Sequence, residues 1–340
     1  MEVAAFVQWL NGYEAHRRRS TMPRPLLGLH HVTAICSDPQ RNVDFYTRVL
    51  GLRLVKQTVN YDDPTTWHLY YGDTLGQPGT VLTFFAWPDA PGGQVGLGQF
   101  ASVTLAIPAG ALGYWIERLI GLGIAYQQPV RRFGERVLAF RDPDGLHLEL
   151  VAVADPPLST PWSDSTVPVD QAIRGLHGVS LWRGSSATTD FFTDQLAFRP
   201  LGGEGSIERL VGGTGAQRAR LDLIGATGLW EGTVAVGTIH HVALAVPDAD
   251  ELLAWQSHLR GAGLDVTEVR DRTYFQSIYT EAPGGATVEL ATMTPGFTRD
   301  EPADALGMSL QLPAHLERQR LGLEGMLPPL STSVRRPFDS

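Results

Sequence analysis

Four apolar strands recur along this chain, and each is answered by a closing strand at a similar distance downstream. The openings carry His31 in Leu29-His30-His31-Val32, Ser102 in Phe100-Ala101-Ser102-Val103, His177 in Leu176-His177-Gly178-Val179 and His241 in Ile239-His240-His241-Val242. Three closings place one position four residues after a glycine: Thr83 after Gly79, Glu149 after Gly145 and Glu289 after Gly285. The third quarter has Asp222 in Ala219-Arg220-Leu221-Asp222-Leu223, without the glycine. From Ser102 to Glu149, His177 to Asp222 and His241 to Glu289 the intervals are nearly equal. Self-similarity at a fixed period marks a repeated structural unit.

Each unit reads as strand, helix, then further strands. Apolar residues at helical spacing predict helices over 39–50 (Val43, Phe45, Tyr46, Val49, Leu50), 110–122, 188–196 and 248–259. Asp38 is a natural N-cap for the first and Gly51 a natural stop. Strands are expected to follow over 68–71, 136–140 and 274–279. The fold class is therefore α+β, with four βαβββ modules in two paired domains. The expected division is an N-terminal extension over 1–25, a first domain over 26–155 (modules one and two) and a proline-rich linker over 156–172. A second domain follows over 173–296 (modules three and four), then a tail over 297–340 with one helix, 314–326. Val3, Phe6, Val7 and Leu10 suggest a short amphipathic helix within 1–21, and Met22 could be an alternative start.

Composition narrows the setting. A net charge of −9 gives no global basic surface for nucleic acid, and His16-Arg17-Arg18-Arg19 reads as a solvated run. No stretch is long and apolar enough to span a membrane, and the N-terminus lacks the order of a secretory signal. A single cysteine, Cys36, excludes an intrachain disulfide and fits a reduced, cytoplasmic compartment; it reads as a small buried residue. Edge strands and the C-terminal helix could support a homo-oligomer.

The two histidine pairs carry the chemistry. Neighbours on a strand face opposite ways, so one histidine of each pair shares a face with any given site. His31, His241 and Glu289 are the proposed metal ligands, from the first and fourth opening strands and the fourth closing strand. Two imidazoles and a carboxylate on one face of a divalent ion form the facial triad of non-haem Fe(II) oxygenases, which leaves positions open for an aromatic oxygen and O2. Glu149, His177 and Asp222 could by the same logic make a second site, but read better as a relic or a structural polar cluster. His68, His147 and His258 read as structural or solvent-facing.

The βαβββ repeats and strand-borne ligands resemble the vicinal oxygen chelate superfamily of glyoxalases, fosfomycin-resistance proteins and extradiol dioxygenases. More narrowly the chain is similar to the ring-cleaving dioxygenases of hydroquinones, over about residues 26–310. The matching segments include Leu29-His30-His31-Val32-Thr33, Gly51-Leu52-Arg53-Leu54-Val55-Lys56, Tyr61-Asp62-Asp63, His68-Leu69-Tyr70-Tyr71-Gly72-Asp73, Tyr274-Phe275-Gln276-Ser277-Ile278-Tyr279 and Pro283-Gly284-Gly285. The resemblance implies that the second histidine of each pair and the late glutamate bind Fe(II), with Mn(II) left open as an alternative, and that the substrates are a small aromatic and O2. It also implies that His30, His240, Tyr279 and Arg272 serve catalysis around the metal, and that Thr33, Arg272 and Tyr279 lie near substrate. A phenol at Tyr279 could donate to a bound phenolate, and Arg272 could offset developing negative charge.

Two other classes stand against this reading. A glyoxalase-type isomerase usually draws on two carboxylates, one serving as base, and Thr83 takes the place of the second. A noncatalytic binder of aromatic or drug-like molecules needs no metal triad.

Overall fold

The computed structural model describes residues 22–157, 159–215, 218–226, 228 and 230–332. The amphipathic helix expected within 1–21 lies outside the described residues. Module one comprises β1 (Gly28–Cys36), α1 (Pro39–Asp44), β2 (Arg53–Val59), β3 (Trp67–Gly72) and β4 (Val81–Ala86). Module two comprises β5 (Gln99–Pro108), α2 (Leu112–Gly121), β6 (Val130–Arg132), β7 (Glu135–Arg141) and β8 (His147–Val153). Module three runs through β9 (Leu176–Arg183), α3 (Ala187–Asp190), β10 (Arg199–Glu204), β11 (Ile207–Gly212) and β12 (Ala219–Gly225). Module four runs through β13 (Ile239–Val246), α4 (Ala249–Gly261), β14 (Arg270–Asp271), β15 (Gln276–Glu281) and β16 (Thr287–Thr292). The fourfold βαβββ array is thus the fold.

The modules join in a particular way. One eight-stranded sheet has the order β14-β15-β16-β13-β1-β4-β3-β2, the other β10-β11-β12-β9-β5-β8-β7-β6. Module one therefore shares a sheet with module four, and module two with module three. The sheets unite modules across the 156–172 segment rather than within 26–155 or within 173–296. The central pair of each sheet is antiparallel, with His31 opposite Ala243 and Thr33 opposite His241 in one, and Ser102 opposite Ser180 and Thr104 opposite Gly178 in the other. This register makes Ser102 the counterpart of His31, and Gly178, not His177, the counterpart of His241.

Strand alternation sorts the side chains. Val32, Ala34, Leu69, Tyr71, Leu82, Phe84, Val242 and Leu244 join the main core with Tyr46, Trp115 and Trp255 from the helical segments. His31, Thr33, His68, Tyr70, Phe85 and His241, on the alternate positions of the same strands, line a pocket on the sheet's other face. The 156–172 segment is tied down by Arg118, whose guanidinium donates to the carbonyls of Arg48 and Thr166.

Helix ends follow the sequence closely at two places. Asp38 and Asp248 cap α1 and α4 by accepting from the N–H groups of Arg41 and Glu251. Three helices depart from expectation. α1 and α3 each continue as a π-helical turn, Phe45–Val49 and Phe191–Gln195, in equivalent modules. The expected helix over 314–326 is shorter: a 3-10 turn at Glu317–Gln319 leads into α5, Arg320–Met326. Gln319 and Leu316 supply no side-chain cap there, so the helix starts late.

Candidate metal centre

His31, Glu289 and His241 come together from β1, β16 and β13, three neighbouring strands of one sheet. His31 Nε2 lies 3.2 Å and His241 Nε2 2.9 Å from Glu289 Oε2, and the two imidazole nitrogens are 3.4 Å apart. Among the described residues, this is the one group of three potential ligands whose donor atoms fall within 4.8 Å of one another. All three are buried, Glu289 completely.

In the first pair, the first histidine sets the tautomer of the second. His30 Nε2 sits 3.1 Å from the carbonyl of Thr292, which can only accept, so Nε2 carries the proton. Its Nδ1 then accepts from His31 Nδ1–H at 2.8 Å, which leaves His31 Nε2 bare and pointed at Glu289. The same 2.8 Å contact joins His240 Nδ1 to His241 Nδ1. Burial and the adjacent His31 push His30 down to about 3, and burial with His241 does the same to His240, so both stay neutral.

The donor set suits a divalent cation. Two nitrogen lone pairs and a carboxylate oxygen converge in a buried space, and neither Glu289 oxygen has a hydrogen-bond partner among the described residues. An unpaired buried carboxylate costs several kcal/mol, on the order of 3–5, and a metal ion removes that cost. The second-sphere contacts that orient metal-bound histidines are already present in His30 and His240.

Above this floor lies a cavity of about 310 Å³ with an aromatic wall of Phe85, Trp87 and Tyr70. Phe85 and Trp87 are parallel to within 6°, and His240 meets Phe85 edge-on at 5.4 Å. Tyr279 stands edge-to-face with His241 at 5.7 Å. Its oxygen accepts from Arg272 Nε and Ser277 Oγ, both at 3.2 Å, so the phenolic proton is free to point elsewhere. Burial and Glu289 push that phenol upward, against the pull of Arg272, and keep it protonated. Asp62 spans the mouth, 3.6 Å from Arg272 and 3.7 Å from Arg270. The cavity therefore gathers Thr33, His240, Arg272 and Tyr279 around the triad, with His30 just behind it against Phe275.

His68 is the residue that sequence reasoning misplaced. It lines the cavity rather than the solvent or the core, through a hydrogen bond to Thr83 at 2.9 Å. The signal was present: His68 and Tyr70 alternate with Trp67, Leu69 and Tyr71 on one strand, so they share the opposite face.

The other sheet keeps the acids without the imidazoles. Asp222 stands opposite Ser180 as Glu289 stands opposite Ala243, and Glu149 opposite Thr104 as Thr83 stands opposite Thr33. Ser102 and Gly178 fill the histidine positions. Arg209, the counterpart of Tyr279, grips Asp222 at 2.6 and 2.8 Å, and Arg132 bridges Glu149 and Asp222. His177 turns instead to Glu135 at 3.0 Å. Guanidinium groups thus supply there the positive charge that the first sheet's acid lacks.

Fold and site together define the class. A family model described as the Glyoxalase/Bleomycin resistance protein/Dioxygenase superfamily matches residues 28–150 and 185–290, and the chain belongs to that superfamily. It is 40% identical over 309 residues, 90% of this chain and 98% of the other, to the Bacillus subtilis (strain 168) protein named "Putative ring-cleaving dioxygenase MhqO". It is 34% identical over 303 residues, 87% of this chain and 94% of the other, to the chlorohydroquinone/hydroquinone 1,2-dioxygenase of Sphingobium indicum. A crystal structure of a Bacillus subtilis protein described as a "putative dioxygenase" superposes with a TM-score of 0.86 at 39% identity, covering 92% of this chain and 99% of that one. Glyoxalase I of Zea mays shares the fold at 17% identity, with a TM-score of 0.58 over 78% of this chain and 92% of that one. No helix of the described residues is long and apolar enough to cross a membrane.

Proposed function

We propose that this chain is an Fe(II)-dependent ring-cleaving dioxygenase of hydroquinone-type aromatics, with His31, His241 and Glu289 as the metal ligands. The observation that carries the proposal is the convergence of three buried acceptors beneath an aromatic cavity. The names of the relatives at 34–40% identity support it. A bound Fe(II) would supply a Lewis acid that favours loss of a ring-hydroxyl proton and the redox chemistry that activates O2.

The chain's own groups do the rest. Phe85 and Trp87 offer flat apolar surface to the ring and exclude water. Thr33, beside the triad, is placed to hydrogen-bond a ring oxygen. Tyr279 donates its free phenolic proton to an oxygen that gains negative charge, and Arg272, donating to the phenol oxygen, makes it a better donor. His30 holds the tautomer of His31, and His240 contacts His241. Net, one ring C–C bond beside the hydroxylated carbon breaks, and both atoms of O2 enter the acyclic product.

The isomerase reading meets a specific obstacle. A second carboxylate would stand at Thr83, whose hydroxyl instead bonds Thr33 and His68. The deciding experiment is oxygen uptake by anaerobically Fe(II)-loaded protein with hydroquinone, methylhydroquinone, chlorohydroquinone and catechol. Uptake matched by a ring-opened product is expected with a hydroquinone; metal binding with no uptake on any of the four would overturn the proposal.

A further inference from the structure

Along the cavity wall runs a chain of four side chains that the triad does not use. Thr33 Oγ1 lies 2.9 Å from Thr83 Oγ1, Thr83 Oγ1 lies 2.9 Å from His68 Nε2, and His68 Nδ1 lies 3.0 Å from Tyr70 Oη. The geometry is set by the sheet. Tyr70 stands opposite Thr83 across β3 and β4, and Thr83 opposite Thr33 across β4 and β1. The His68 ring is held between Tyr70 and Phe85, with centroids at 4.1 and 4.4 Å. Thr33 and Tyr70, the two ends, both line the cavity, and neither hydroxyl has another partner among the described residues.

A neutral imidazole has one donor and one acceptor nitrogen, so this chain has two complete arrangements. In one, Tyr70 donates to His68, His68 to Thr83 and Thr83 to Thr33, leaving the Thr33 proton to point into the cavity. In the other every bond reverses, so Thr33 accepts from the cavity and the Tyr70 proton points outward. Each arrangement satisfies every buried hydroxyl, and members of such a chain polarise one another.

We infer that His68 is a positioning residue, the reversible link that lets Thr33 accept a hydrogen bond from a protonated ring hydroxyl and donate one to the same oxygen once ionised. The inference rests on the aromatic-hydroxyl reading of the cavity. The proton count closes without net charge. A ring proton passes to Thr33, Thr33's own to Thr83, and Thr83's to His68 Nε2. The proton on His68 Nδ1 then passes to Tyr70, and Tyr70's leaves to water. Thr83, in the place where a second carboxylate would make a fixed acceptor, instead gives a group of either polarity.

The test is an anaerobic titration of Fe(II)-loaded protein with 4-nitrophenol, whose absorbance reports whether its oxygen is ionised, across a pH series. In Thr83→Val a Thr33 that accepts from the neutral phenol has nowhere to send its own proton. Affinity for the neutral form is expected to fall about tenfold, the usual penalty for a stranded buried donor, while the phenolate form changes far less. His68→Phe is expected to act in the same direction, the double variant to lose no more than the larger single, and Thr83→Ser to restore binding. Equal loss of both forms, additive losses or unchanged affinity would each overturn the inference. Oxygen uptake by the unaltered protein with hydroquinone is recorded alongside. Its absence would sink the dioxygenase proposal, whereas the titration still decides the role of the chain.

Discussion

At the scale of single residues, the two histidine pairs are not duplicates within themselves. His31 presents a bare Nε2 to Glu289, whereas His30 points its own Nε2 away, at the Thr292 carbonyl. His31→Ala should therefore abolish stoichiometric metal binding. His30→Ala should retain most of the metal and lower turnover about 10- to 100-fold, as loss of a ligand-orienting contact does. Metal analysis after dialysis together with rates would check this, and the reverse pattern would put the strand faces the wrong way round. The pairing of ligands was legible from the repeat of the two histidine pairs, whereas strict alternation was not kept: the register shifts between Leu29 and His31, and the ring nitrogens of His30 and His31 meet at 2.8 Å. His68 was not legible, because a histidine flanked by aromatics looks like a core residue until the neighbouring strand supplies Thr83.

At the scale of elements, the second sheet shows how buried acids are held where histidines are absent from the equivalent positions. Glu135 on β7 reaches His177 on β9 at 3.0 Å and Arg209 on β11 at 2.8 Å. Burial works to raise its carboxyl, but those two partners overcome it and bring it down to about 2. A depressed carboxyl stabilises the fold above its unfolded value, about 4.3, and that stability drains away as pH falls toward 2. Because Glu135 is partly open to solvent, its contribution is on the order of 1 kcal/mol. Glu135→Gln should lower the melting temperature at pH 7 and leave it nearly unchanged near pH 2, as thermal melts at the two values would show; an equal drop at both would contradict the linkage. The sequence pattern exposed four helices and missed the π-helical ends of two of them, α1 and α3. At Phe45 the Leu50 N–H returns to the Phe45 carbonyl, five residues back, which lets Phe45, Tyr46 and Leu50 all stay buried. A 3.6-residue period cannot reveal that wider turn.

At the scale of the whole molecule, the repeat was readable but the partnership of modules was not, since composition along the chain does not say which edges meet. Backbones of the two sheets' elements touch at specific glycines. Gly98, just before β5, has φ +75° and would drive a Cβ to 1.7 Å from the carbonyl oxygen of Gly284 in the β15–β16 turn. Gly98→Ala should destabilise the protein by about 2–4 kcal/mol, from a left-handed backbone and an overpacked contact together. Chemical denaturation would measure it, and a loss below about 0.5 kcal/mol would mean the two backbones can separate freely.

The central claim is that one buried carboxylate, met by two imidazoles across neighbouring strands, holds the metal on which ring cleavage depends. The most direct measurement is anaerobic Fe(II) titration of the unaltered protein and Glu289→Ala, each followed by oxygen uptake with hydroquinone. The account predicts one iron per chain and iron-dependent uptake for the unaltered protein, with both lost in the variant. Full iron binding and full turnover in Glu289→Ala would contradict it.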